Sequence, residues 1–168
     1  MPPRLAPAIP QGAESLRYEK LMSEDRHIVC PHCGGINRVP DGRPAEAARC
    51  GSCHEKLFSG HPAPVTGALF ERQIARSTIP VAVDVWAPWC GPCRMMAPAF
   101  EEAAHTLEPN VRFLKLNSDE EQPVAGRLGI RGIPTLLLYR GGAEVDRVSG
   151  AMTARQIIQW ITERLAVG

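Results

Sequence analysis

All six cysteines of this 168-residue chain fall into C-x-x-C pairs: Cys30 with Cys33, Cys50 with Cys53, and Cys90 with Cys93. Two sulfurs three residues apart lie on one side of a turn, where they can share a metal ion or join to each other. A disulfide-stapled secreted scaffold instead spreads its cysteines to tie distant segments together. The spacing therefore points to metal ligation and dithiol redox chemistry. The opening residues, MPPRLAPAIPQG, hold no apolar core of the kind that begins an export signal. A reducing, cytoplasmic setting is expected, in which lasting structural disulfides are unusual.

Composition narrows the class. Hydrophobic residues make up 44% and charged residues 22%, with a formal net charge of +1, as in ordinary globular chains. No stretch approaches the ~18 apolar residues of a spanning helix. Neither half carries an acidic or basic excess that would argue for nucleic acid. A monomer without membrane or nucleic-acid partners is expected.

The chain divides into an extension at 1–24, a metal-binding module at 25–60, a linker at 61–65 and a larger domain at 66–168. Pro2, Pro3, Pro7 and Pro10 block regular pairing in the extension, which is expected to be flexible, with room for one short helix between Glu14 and Met22. Met22, just ahead of the module, is an alternative start to Met1. The module has few large apolar groups (Ile28, Val29, Ile36, Val39, Leu57, Phe58) and needs a metal or disulfides to fold. SGHPAP, from Ser59 to Pro64, reads as the linker.

In the larger domain, helical spacing runs over Thr66–Arg76, Pro92–Leu107, Glu120–Leu128 and Thr153–Leu165. Pro98 is expected to kink the second of these, and Thr153 with Gln156 fits a capping box at the last. Strands are predicted at Val81–Ala87, Val111–Asn117, Thr135–Tyr139 and Glu144–Val148. Arg140, Gly141 and Gly142 mark a tight turn, so the last two strands form an antiparallel hairpin. This alternation is that of an α/β protein with a central mixed sheet flanked by helices.

The first two cysteine pairs, CPHC and CGSC, are 16 residues apart. That spacing fits four thiolates closing a tetrahedral Zn²⁺ site of structural type, in a zinc-ribbon or knuckle module. Two alternatives stay open. His32 or His54 could replace a cysteine ligand, or Cys30 and Cys33 could themselves be redox-active. His27 and His61 read as surface residues.

The third pair sits in VDVWAPWCGPCRMMAP, a strand running through a loop into a helix. Cys90 falls at the helix N-terminus, where unpaired N–H groups and the helix dipole favour a thiolate. Cys93 follows one turn later, within reach of the Cys90 sulfur. Gly91 permits a tight turn and Pro92 suits the first helical position. A further zinc half-site is the alternative, although no unused partner pair remains for it. Asp84 lies in an apolar strand. If both sheet faces are covered, it is a buried carboxylate needing a partner or a raised pKa. If the strand alternates, it points to solvent. Trp86 and Trp89 are packing residues, or, for Trp89 beside Cys90, part of a recognition surface.

Over 65–168 the chain resembles the thioredoxin family. The resemblance rests on WCGPC at 89–93, Asp84 in VDVW, KLNSD at 115–119, GIRGIPT at 129–135 and VSGA at 148–151. It implies a thioredoxin fold and a dithiol–disulfide oxidoreductase whose only redox group is the Cys90–Cys93 disulfide, with no bound organic cofactor. Asp84 would take the proton from Cys93, beside Lys115. Pro134 would be the cis proline facing the cysteines, and Ile133 would offer its backbone to a substrate strand. Trp89, Gly91, Pro92 and Gly150 would complete the substrate surface. The implied partners are oxidised proteins and a flavin-dependent thioredoxin reductase drawing on NADPH. Arg94 replaces a frequent lysine and Val85 a frequent phenylalanine, without removing a reacting group. The module, from Cys30 to Phe58, resembles the zinc-binding thioredoxin-2 type, which suggests either a fixed zinc module or one that answers oxidative stress by releasing metal.

A disulfide oxidase or isomerase is the rival enzyme, disfavoured by the Gly91-Pro92 dipeptide. A non-enzymatic scaffold is disfavoured by the joint presence of Cys90, Cys93 and Asp84.

Overall fold

The computed structural model describes residues 26–40 and 42–166. The expected extension at 1–24, its short helix and the two alternative starts lie outside the described residues.

Among the described residues there are two β-sheets. β1 (Arg26–Val29) and β2 (Ile36–Val39) form an antiparallel hairpin in the module. The larger sheet contains β3 (Ala63–Pro64), β4 (Val81–Trp86), β5 (Arg112–Asn117), β6 (Thr135–Arg140) and β7 (Ala143–Ser149), in the order β3-β5-β4-β6-β7. β3 and β4 run parallel to β5, whereas β6 and β7 join antiparallel. Among the described residues the α-helices are α1 (Gly67–Arg76), α2 (Gly91–Leu107), α3 (Gln122–Arg127) and α4 (Ala154–Ala166). No described helix is long and apolar enough to cross a membrane.

The sheet has a core on each face because its central strands are apolar on both sides. Phe100 of α2 and Ile157 and Ile161 of α4 pack on Ala82, Phe113, Leu136 and Leu138. Phe70 of α1 packs with Val81, Val83, Val85, Leu114 and Leu116 on the other face. Side chains alternate along a strand, so Asp84 shares the face of Ala82, towards α2. That alternation brings a carboxylate beneath the cysteine-bearing helix.

Local chemistry explains the boundaries. Gly141 and Gly142 have φ of 59° and 82°, the left-handed pair that a two-residue hairpin turn needs. The box at α4 is formed: Gln156 N donates to Thr153 Oγ1 at 3.2 Å and Thr153 N donates to Gln156 Oε1 at 2.9 Å. Thr153→Ala is expected to cost about 1 kcal/mol in urea unfolding. No loss of stability would contradict the cap. Pro98 lies inside the continuous α2, where it withdraws the N–H that would otherwise reach the Arg94 carbonyl.

Ala63–Pro64, within the stretch expected as a linker, is an edge strand paired with Leu114 and Lys115. Val65 N extends it by donating to Lys115 O at 3.0 Å. Proline is tolerated there because an edge strand can turn its missing donor outward. The module also has a small core of its own, in which Ile28, Val39, Leu57 and Phe58 surround Cys30 and Cys50. Ile79, just ahead of β4, completes it.

Candidate active site and metal centre

Cys90 is the N-cap of α2, and Cys93 N donates to its sulfur at 3.2 Å. The two cysteines form a disulfide across the first helical turn, and both are buried, at 4% and 2% exposure. The helix start is fixed by Pro92 in its first turn and by Cys90 N donating to Ala87 O. Opposite, the Ile133–Pro134 peptide is cis, and the Ile133 carbonyl oxygen lies 3.7 Å from Cys90 Sγ.

Cys90, Trp89, Gly91, Pro92 and Ile133 line an open groove of about 530 Å³. Gln122 and Ala125 of α3 and the Ile130–Gly132 segment form its other wall, which the sequence reading missed. The GIRGIPT motif was the signal for the latter. Trp89 is 70% exposed yet oriented, since its Nε1 donates to Asp119 Oδ2 at 2.9 Å. Gly150 does not line the groove. Its N–H donates to Pro134 O at 2.9 Å, so it supports the proline loop from behind.

Asp84 is fully buried, and neither carboxylate oxygen has a hydrogen-bond partner among the described residues. Burial pushes its pKa up to about 7, against the pull of the Lys115 charge. Lys115 is its register partner on β5, but its Nζ sits 4.4 Å from the Trp86 ring centroid. The lysine acts on Asp84 through space while its cation rests on the indole.

In the module, the four sulfurs of Cys30, Cys33, Cys50 and Cys53 lie within 4.8 Å of one another. Cys30 to Cys53 and Cys33 to Cys50 are each 3.6 Å apart. A tetrahedral Zn²⁺ with bonds of about 2.3 Å holds its sulfurs about 3.8 Å apart, so the set fits. The two turns repeat one hydrogen-bond pattern. Cys30 N donates to Gly35 O and Gly34 N to Cys30 O, while Cys50 N donates to Glu55 O and His54 N to Cys50 O. Gly34 and His54 hold the same left-handed position, at φ 76° and 66°, so His54 serves the turn. Neither His32 nor His54 belongs to the sulfur cluster.

Backbone N–H groups of His32, Gly35 and Ser52 each donate to a cysteine sulfur at 3.4 Å. The Cys53 backbone amide is the largest of the influences that bring Cys50 down to about 6. The Glu55 amide likewise lowers Cys53. Burial and the three neighbouring sulfurs outweigh it and push Cys53 up to about 12. Sulfurs packed this closely cannot all be anionic without a cation among them, which is the demand that Zn²⁺ meets.

A family model described as thioredoxin matches residues 61–163, and another, described as the N-terminal part of thioredoxin 2, matches 29–55. Thioredoxin C-3 of Corynebacterium nephridii is 39% identical over 138 residues, covering 82% of this chain and 94% of its own length. Thioredoxin 1 of a Nostoc species is 45% identical over 103 residues, covering 61% and 96%. Among solved structures, a variant of Halobacterium salinarum thioredoxin superposes with a TM-score of 0.58 at 30% identity, covering 64% of this chain and 93% of its own. With its dithiol set at a helix N-terminus on this sheet, the protein is a thiol–disulfide oxidoreductase. The chain belongs to the thioredoxin family and, by its N-terminal module, matches the thioredoxin-2 type.

Proposed function

We propose that the chain is a cytoplasmic general reductant of protein disulfides, recharged by an NADPH-dependent thioredoxin reductase, with its 25–60 module held by one structural zinc. The observation that carries this reading is the Cys90–Cys93 pair across the first turn of α2, beside the Ile133 carbonyl in an open groove.

In the reduced form, Cys90 thiolate attacks one sulfur of a substrate disulfide. That S–S bond breaks, a mixed disulfide forms, and the first substrate sulfur leaves as a thiolate that takes up a proton. Asp84 accepts the Cys93 proton. Cys93 then attacks Cys90 Sγ, expelling the second substrate sulfur and closing Cys90–Cys93. Two electrons pass to the substrate. Ile133, Trp89, Gly91 and Pro92 hold the substrate strand across the groove, while Pro134 and Gly150 shape the loop behind it.

Insulin reduction coupled to NADPH and thioredoxin reductase tests this directly. Turnover with dithiothreitol alone would remove the recharging partner from the reading. No turnover with either electron source would remove the reductase.

Cys30, Cys33, Cys50 and Cys53 would hold Zn²⁺, which supplies a structural cross-link and no open ligand position. The reduced native protein is expected to contain one zinc per chain and two reactive thiols. Finding no zinc with six reactive thiols would contradict the closed site. A fixed module also implies no metal release at peroxide levels sufficient to oxidise Cys90–Cys93, measured with a chromogenic chelator.

A further inference from the structure

Arg112 is the largest fully buried side chain among the described residues, and it is charged. It begins β5, in the larger domain, yet its side-chain hydrogen bonds go to the module. Its Nη1 donates to Leu57 O at 2.7 Å and its Nη2 to Val29 O at 3.2 Å. Its guanidinium stacks 4.2 Å from the centre of the Phe58 ring. Gln73 of α1, also fully buried, donates from Nε2 to the same Val29 carbonyl at 3.0 Å. The next-door Arg72 donates from Nε to Gly34 O. Val29 immediately precedes Cys30 and Gly34 immediately follows Cys33. Three side chains of the larger domain thus grip both ends of the first metal-binding turn.

The charges agree with this geometry. Burial lowers the Arg112 pKa to about 10, while the Glu108 carboxylate supports its charge. Glu108 is itself pushed up to about 7, chiefly by burial, which weakens it as a counter-charge near neutral pH. A zinc ion with four thiolates carries a net charge of −2. Held by Cys30 and its three partners, that anion would be a counter-charge to a guanidinium that burial otherwise leaves poorly compensated.

The geometry points to Arg112, seconded by Gln73 and Arg72, as a positioning residue of the metal centre: the larger domain supplies the outer shell that orients the Cys30–Cys33 turn and balances the charge of the tetrathiolate. This rests on the zinc reading above. Outer-shell partners of this kind commonly contribute about 10- to 100-fold in metal affinity. Linkage then requires the reverse: metal in the module must tighten the part of the larger domain that grips it.

The test titrates zinc against a chromogenic chelator in the full chain, comparing wild type with Arg112→Met, Arg112→Lys and Gln73→Leu, and follows thermal melting of each. The zinc dissociation constant of Arg112→Met is expected to rise at least about tenfold, with partial recovery in Arg112→Lys, which keeps the charge. Affinity within about twofold of wild type in Arg112→Met, with only a lower melting temperature, would reduce Arg112 to interface packing and overturn the proposal. Should Arg112→Met fail to fold, Gln73→Leu and Arg112→Lys carry the affinity test. A second arm uses wild type alone: zinc removal is expected to speed amide exchange at the start of β5 and along α1. Unchanged exchange there would overturn the proposal whatever the variants do. Wild-type zinc content separates the two readings, since a chain without zinc fails the metal assignment, and a zinc-bound chain indifferent to Arg112 fails only this one.

Discussion

Cys93→Ser is expected to leave the chain covalently attached to the proteins it reduces. Cys90 caps α2, where first-turn N–H groups favour a sulfur anion. Cys93 lies one turn deeper and more enclosed. Without its sulfur, attack on a substrate disulfide still proceeds, but nothing cleaves the mixed disulfide that results. Non-reducing electrophoresis of Cys93→Ser incubated with an oxidised protein should show a discrete higher-mass adduct that dithiothreitol removes. Cys90→Ser should give neither adduct nor insulin reduction. Full turnover by Cys90→Ser, or adducts formed through Cys93 instead, would reverse the assigned roles.

Asp84→Asn is expected to move stability and activity in opposite directions. The folded carboxyl titrates near 7 against an ordinary value of 3.8, because burial disfavours its charge more than Lys115 favours it. Between these values the folded state keeps a proton that the unfolded chain gives up. The contribution of Asp84 to stability is therefore most favourable below about pH 4, falls as pH rises, and reaches its full deficit above about 7. Over roughly three pH units the loss is on the order of 4 kcal/mol. Asparagine carries no charge, so Asp84→Asn should flatten this slope and stabilise the protein at pH 8, as read by urea unfolding across pH. The same change removes the base for Cys93. Release of the mixed disulfide should slow by about 100-fold, losing its rise near pH 7. An unaltered stability slope would show that the carboxylate is not the buried group described.

These expectations were legible in unequal degree from the sequence. The cysteine spacing marked both chemical centres, because a shared ion and a one-turn disulfide each need sulfurs three residues apart. The hairpin was legible because only glycine passes easily through two left-handed positions in succession. Asp84 was ambiguous, since its strand could have been covered on one face or both. Its burial follows from α2 and α4 closing one side and α1 the other. β3 escaped notice because a two-residue strand containing proline has no period. Arg112 escaped for a different reason. An arginine beginning a strand ordinarily turns to solvent, and only the module folded over it makes it internal. Contacts between segments more than 50 residues apart leave no local signature.

The claim on which all of this stands is that Cys90, at the head of α2, is the attacking sulfur. The most direct measurement is limited alkylation of the reduced native protein with iodoacetamide at neutral pH, followed by peptide mapping of the modified cysteines over time. Label is expected on Cys90 first, with Cys93 lagging well behind and the four module cysteines protected while zinc is retained. Equal labelling of the two, or Cys93 modified ahead of Cys90, would contradict the account.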